Sequence, residues 1–406
     1  MCECELLCAH DEDSPGESGA SGNPSESAAS PSRRRLLGAI AASASAAVLA
    51  GPTLGAQTAY AASAAGAADK AASAGAADDD SSAAPLSITL LGTNGGPPPL
   101  AARFGISTAL VVNGKTYVID CGRGAVSQYM RAGLSMPSLA GIFLTHLHAD
   151  HVVDYFSFPL LSAGASGADG FQSPIGVYGP GSAGTNSTLA DAPGPLPGTA
   201  AMTVLANQAY AASTNFFIDE KFGIDPTTML DVHEVMPPAD VAAGATNQAP
   251  TMQPFAVMED ENVKVSAILV PHGAVYPAFA YRFDTEHGSV VFSGDTSRTP
   301  NIPTLARGAD VLVHEAADFS VLPSLGLPAA LITHIETVHT DVAVLGEIAA
   351  EAGVGRLVAT HLSPGDPAEV SDAAWRRLLR TSAQQADYGG QMVLGQDLPR
   401  IPVTGR

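Results

Sequence analysis

Short apolar runs in this chain repeatedly end in an imidazole or a carboxylate. Tyr117-Val118-Ile119 runs into Asp120, and Ile142-Phe143-Leu144 leads through Thr145 to His146. Ile268-Leu269-Val270-Pro271 precedes His272, Val291-Phe292-Ser293-Gly294 precedes Asp295, and Leu357-Val358-Ala359-Thr360 precedes His361. Each run has the length and apolar content of a buried strand. One such residue after one strand is a weak signal. The repetition of a buried strand ending in a polar, metal-capable side chain is a strong one.

The segments between these runs set the architecture. Ala109–Val112 and Lys115–Asp120 flank Asn113-Gly114, the strongest short hairpin signal. Phe279–Phe283 and Val290–Ser293 form a second hairpin across a short polar turn. Helix-like stretches lie at Ala125–Ala132, Val342–Ala352 and Ala373–Leu379, with further strands at Ile175–Tyr178, Val263–Val270 and Val311–His314. Hairpins near both ends with strand–helix units between them predict two mixed sheets, each covered by helices. Residues 181–260 read as an irregular, lid-like insertion with one apolar helical segment near Met202–Asp219. In it Phe216, Phe217 and Met229 suit the lid's own small core better than an apolar wall for an aryl group. Gly92-Thr93-Asn94-Gly95-Gly96 lacks a lysine and runs into three prolines, so it reads as a turn near the site mouth and not as a phosphate loop.

With 406 residues, 46% of them hydrophobic, the chain can bury a sizeable core. The formal charge of −21 argues against a nucleic-acid partner, because an acidic surface repels phosphate backbones. The cysteines are Cys2, Cys4, Cys8 and Cys121, too few and too clustered for a disulfide framework. Ser32-Arg33-Arg34-Arg35-Leu36-Leu37-Gly38, an alanine-rich stretch and Ala59-Tyr60-Ala61 read as a leader over residues 1–61 for the twin-arginine export machinery, with cleavage after Ala61. The stretch is too weakly apolar for a stable membrane anchor. Residues 62–84 are an Ala/Ser/Gly linker, and 85–406 form the functional domain. The protein is thus expected to be exported, periplasmic or secreted.

Thr145-His146-Leu147-His148-Ala149-Asp150-His151 carries the chemistry. His146 and His148 are two apart in extended chain, so both rings point the same way. Asp150 and His151 fall where the chain turns into a helix. So many ligand types in so short a loop suit two metal ions better than one. A solvated surface cluster would not need the apolar strand that delivers it.

At these residues the sequence resembles the metallo-β-lactamase superfamily, over roughly Pro85 to Pro364. The resemblance implies an α/β (α+β) four-layer αββα sandwich with a dinuclear metal site, two divalent cations with zinc the expected metal. It places His146, His148 and His272 on the first ion, Asp150, His151 and His361 on the second, and Asp295 as the bridge. Asp120 would orient the ligand loop from behind it, and His314 would stand in a similar supporting position. Asp150 could also orient the attacking water. His339, in Val338-His339-Thr340, and Glu315, in His314-Glu315-Ala316, match segments near the site in several branches. His339 is the candidate proton donor or oxyanion partner.

Leu90-Leu91-Gly92-Thr93, Asp120-Cys121-Gly122-Arg123-Gly124 and Pro277-Ala278-Phe279 look like the branch shared by ribonuclease Z and arylsulfatase-like enzymes. The resemblance to ribonuclease Z implies a long RNA-clamping arm between the Tyr281-Arg282 strand and the Asp295 strand. Only a short turn, Asp284–Gly288, stands there. Export, acidity and the short turn together point to a hydrolase of a small-molecule ester, an aryl sulfate first, with no nucleic acid and with a homodimer left open. The alternatives are a ribonuclease Z-like phosphodiesterase, a lactonase or other hydrolase of this fold, and a non-enzymatic periplasmic metal-binding protein.

Overall fold

The computed structural model describes residues 84–405 except 164–168, 172, 186–193 and 221–223. The first strands are Leu86–Gly92 (β1), Ser107–Val112 (β2) and Lys115–Ile119 (β3), paired as an antiparallel meander. Asn113 and Gly114 both take positive φ, 51° and 79°, which suits the two-residue hairpin turn their identities predict. Leu139–Phe143 (β4), Ile175–Pro180 (β5) and Leu230–Val235 (β6) extend this sheet in parallel.

The second sheet begins antiparallel, through Phe255–Glu259 (β7), Lys264–Leu269 (β8), Phe279–Thr285 (β9) and Gly288–Phe292 (β10). It continues in parallel through Val311–Ala317 (β11), Arg356–Ser363 (β12) and Gln391–Leu394 (β13). Arg400–Pro402 (β14) returns to pair with β1. The orders are β14-β1-β2-β3-β4-β5-β6 and β13-β12-β11-β10-β9-β8-β7. The described residues fall in one compact unit.

Side-chain alternation explains the layers. Leu110, Val112 and Phe143 from the first sheet meet Val265, Tyr281, Phe283 and Val291 from the second in one buried core. Phe143 packs edge-on against Phe283, 4.9 Å between ring centroids, and against Tyr281 at 5.6 Å. The opposite face of the first sheet, Ala109, Val118, Ile142 and Leu144, is covered by Val126 and Tyr129 of the helix Ala125–Arg131 and by Phe158. Helices also cover the second sheet. In Asp372–Gln385 the residues Trp375, Leu379 and Ser382, spaced by four and three, are buried. The αββα sandwich is the one the sequence resemblance implies.

Four strands go beyond the sequence reading: the short β13 and β14, which follow the last expected helix, and β6 and β7. β6 and β7 lie within the stretch read as irregular, and each is the edge strand of its sheet. β6 is mostly exposed and carries Asp231, His233 and Glu234, so its polar content hides the strand while suiting an edge. The insertion also carries two helices, Thr199–Ala209 and Ala211–Glu220. Phe216 is 52% exposed, which excludes it from a lid core, and Met229 packs on the outer core of the first sheet. The twin-arginine motif, the leader and the linker up to residue 83 lie outside the described residues. Among the described residues no helix is long and apolar enough to cross a membrane.

Candidate metal centre

The C-terminal ends of β3, β4, β8, β10 and β12 meet at one end of the sandwich, and the polar residues that follow them, or in β12 lie near its end, converge there. β4 leads through Thr145 and His146 to His148, which stays extended (φ −66°, ψ 149°) ahead of the short helix Ala149–Val152. His146, His148 and His272 offer ligand atoms within 4.8 Å of one another, and so do Asp150, His151, Asp295 and His361. Asp295 stands between the groups. Its Oδ2 is 3.1 Å from His361 Nε2, 3.3 Å from His151 Nε2, 3.7 Å from His272 Nε2 and 4.0 Å from His146 Nε2. Asp150 Oδ2 lies 3.5 Å from His361 Nε2 and 3.7 Å from His151 Nε2.

A ring of hydrogen bonds behind these atoms sets their direction. Asp120, at φ 56° just after β3, accepts from Thr145 N–H and Thr145 Oγ1–H, both at 2.8 Å, and from His151 Nδ1–H at 2.8 Å. His151 therefore turns Nε2 toward the cluster. His272 Nδ1–H donates to the Val338 carbonyl at 3.0 Å, which likewise turns its Nε2 into the cluster, 3.1 Å from His148 Nδ1. The glycine loop read as a turn at the site mouth lies there: Gly96 N–H approaches His361 Nε2 at 3.4 Å. A Cβ on Gly95 would sit 2.8 Å from the carbonyl oxygens of His361 and Leu362, so no larger residue fits.

The electrostatics suit cations. Burial, followed by neighbouring imidazoles, holds His146 well below the ordinary histidine range and His148 at about 4. Burial lowers His272 too, so these rings are neutral nitrogen donors. Burial would raise Asp295 and Asp150, but the surrounding histidines outweigh it and hold Asp295 well below its usual value and Asp150 at about 2. Burial likewise opposes the proton on His151, but Asp295 and Asp120 raise its pKa well above the usual value. His146 Nε2, His151 Nε2 and Asp295 Oδ1 are buried with no hydrogen-bond partner among the described residues. Such orphaned atoms are costly unless something binds them. The neutral rings of His146, His148 and His272, the ionised carboxylates and the inward-facing orphans fit divalent metal ions, and His151 would release its Nε2 proton to bind one.

Glu315 and His339 stand at the rim. Glu315 accepts from Thr296 N–H at 2.7 Å, and its two oxygens lie 3.1 and 3.0 Å from His339 Nδ1. His339 Nδ1 is 4.0 Å from Asp295 Oδ2. Burial opposes a charge on His339, but Glu315 outweighs it and raises the pKa to about 9. The neighbouring His314 alternates to the other face of β11. It is buried, bonds through Nδ1 to the Glu315 carbonyl at 2.7 Å, and belongs to none of the clusters.

A family model described as "Beta-lactamase superfamily domain" matches residues 221–362, and one described as "Anti-Pycsar protein Apyc1" matches residues 86–155. Ribonuclease Z of Mycobacterium marinum is 28% identical over 321 residues, 79% of this chain and 100% of that protein. Ribonuclease Z of Mycobacterium sp. (strain KMS) is 29% identical over 319 residues, 78% of this chain and 96% of the relative. Among solved structures, human tRNase Z, short form, shares the fold with a TM-score of 0.52 at 21% identity, covering 78% of this chain and 99% of the other. The metallo-β-lactamase fold protein YhfI from Bacillus subtilis does so with 0.50 at 18%, covering 78% and 99%.

The chain is a metallo-β-lactamase-fold hydrolase. This metallo-β-lactamase-fold enzyme corrects one expectation. A small-molecule ester partner with nucleic acid excluded is overturned by relatives that are named ribonuclease Z and align over most of the chain. The physical reason is that net charge averaged over a whole chain does not fix the field at one cleft. The same relatives favour the ribonuclease Z-like alternative over aryl sulfate hydrolysis. The sequence gives no sign of the groove beside His148, lined by residues just after β5 and by the segment after His272. No spacing signal marks it, because its walls come from distant segments.

Proposed function

We propose that this chain is a ribonuclease Z-like phosphodiesterase that hydrolyses a phosphodiester bond in RNA with two divalent cations, zinc by the donor set. The observation that carries the reading is the placing of Asp295 between the His146/His148/His272 group and the Asp150/His151/His361 group, with the His339–Glu315 pair at its edge. Bound cations supply an activated water at neutral pH and gather the charge of the phosphate.

The protein's own groups do the rest. Asp120 and the Val338 carbonyl hold the rings of His151 and His272 in register. Asp150, at the mouth of the cluster, orients the attacking water. His339, kept protonated by Glu315, donates a proton to the departing ribose oxygen. The ribonuclease Z relatives support RNA as the substrate class.

The test is cleavage of a precursor tRNA by zinc-loaded protein, compared with 4-nitrophenyl sulfate and bis-4-nitrophenyl phosphate under the same loading. Cleavage at the 3′ trailer, with the sulfate inert, is expected. Intact precursor alongside full metal occupancy would overturn the reading.

A further inference from the structure

Beside His148 lies a groove of about 350 Å³. Small-ligand pockets run from roughly 300 to 1,000 Å³, so it suits a single planar group. One wall is Gly181, Ser182 and Ala183 just after β5 with Leu196 and Met202; the other is the segment Val275-Tyr276-Pro277 that follows His272. Leu147, between the first two histidines of the ligand loop, joins the groove to the candidate metal centre. Among the described residues no lysine, arginine, aspartate or glutamate lines it. Leu196 is 49% exposed and Tyr276 half-buried, so apolar surface stands uncovered beside the site.

This composition conflicts with backbone recognition. A clamp on RNA phosphates needs cations, and no lysine or arginine among the described residues lines the groove. The turn joining β9 to β10 is only Glu286 and His287, so no arm extends from that hairpin. Single-stranded RNA offers another handle: an unstacked base has an uncharged face that binds aromatic and apolar side chains. The groove is continuous with the cluster at His148, so a group next to the scissile phosphate can enter it without a long linker.

Resting on the phosphodiesterase reading, we propose that this groove is a base subsite. The nucleobase adjoining the scissile phosphate leaves the stack and lies against Tyr276 and Met202 while the phosphate faces the metal centre. Ala183, half-buried in the opposite wall, sets the width. The enzyme then selects unpaired RNA ends by a base face, not by a charged surface.

Calorimetry on the zinc-loaded full chain tests this without turnover, using a nucleoside 5′-monophosphate and ribose 5-phosphate as probes. The nucleotide is expected to bind at least tenfold more tightly. Ala183→Trp, which fills the groove, should bring the ratio close to one, and Met202→Trp should do the same if the first variant folds poorly. Equal binding of the two probes to wild type, or a ratio unmoved by a folded groove-filling variant, overturns the subsite. Cleavage is scored separately: a tenfold ratio with no RNA cleavage sinks the phosphodiesterase reading and leaves the subsite standing.

Discussion

The two sheets build their halves of the site differently. The first sheet delivers His146, His148, Asp150 and His151 from one turn after β4, braced by Asp120 on the neighbouring strand end. The second delivers His272, Asp295 and His361 from three separate strand ends, and adds His339 and Glu315 from two more segments. In the first half, covalent connection keeps the ligands close whatever the rest of the fold does. In the second, only strand register does so: β10, β11 and β12 run parallel, and their pairing sets Asp295, Glu315 and His361 side by side. The first half should therefore tolerate local damage to its brace, while the second should depend on its central carboxylate.

The largest effect should come from Asp295, the group shared by both halves. Elemental analysis of wild type should give about two metal equivalents, and Asp295→Ala should lose most of both with hydrolysis down at least ~1,000-fold. One equivalent in wild type, unchanged by His151→Ala, would break the picture of two halves joined by a bridge.

Next is His339→Ala, expected to lower kcat by about 10²–10⁴-fold, the range for a positioned proton donor. Folded His339 keeps its proton to a pKa of about 9, whereas an unfolded histidine releases it near 6.5. The raised folded value means the charged pair with Glu315 stabilises fully below pH ~6.5 and is lost as pH rises through about 9. Denaturant unfolding of metal-free wild type and His339→Gln from pH 6 to 10 checks this. Parallel pH profiles for the two proteins would rule it out.

A smaller loss is expected from Asp120→Asn, which weakens the brace of the first half only. Metal affinity should drop by about 10–100-fold, the usual cost of losing such a supporting group. A competition titration with a chelator reads it, and the loss should fall mainly on the ion held by His151. Equal loss of both ions would show that the halves are not independently braced.

Thr145→Val should matter least, about 1 kcal/mol by chemical denaturation, because Asp120 keeps its bonds from His151 and the Thr145 backbone. A cost several times larger would mean the hydroxyl, not the carboxylate, organises the loop.

Much of the first half is legible in the chain. An apolar strand followed by histidines two apart forces rings onto one side, and Asn113-Gly114 forces the hairpin that places Asp120 beside them. The strands ending in His272, Asp295 and His361 are legible one by one, but their meeting is a matter of sheet order. Polar edge strands give little strand signal, because β6 carries the charges that keep an edge from pairing with another chain. The expectation of no nucleic-acid partner fails for a related reason: summed charge carries no information about where charges lie.

By itself the sequence determined most of the strands of the two sheets, the helix-covered layering they imply and the histidine-rich candidate ligand loop from His146 to His151. These depend on periodicity and on neighbours within a few residues, which the covalent chain enforces. Only the tertiary structure decided that Asp295 stands between two histidine groups and that Glu315 grips His339 while His314 turns away. It also decided that a groove whose described lining holds no lysine, arginine, aspartate or glutamate opens beside His148. Those relations join residues tens to hundreds of positions apart, and they exist only once two sheets have packed on Phe143, Tyr281 and Phe283 and fixed their strand ends against each other.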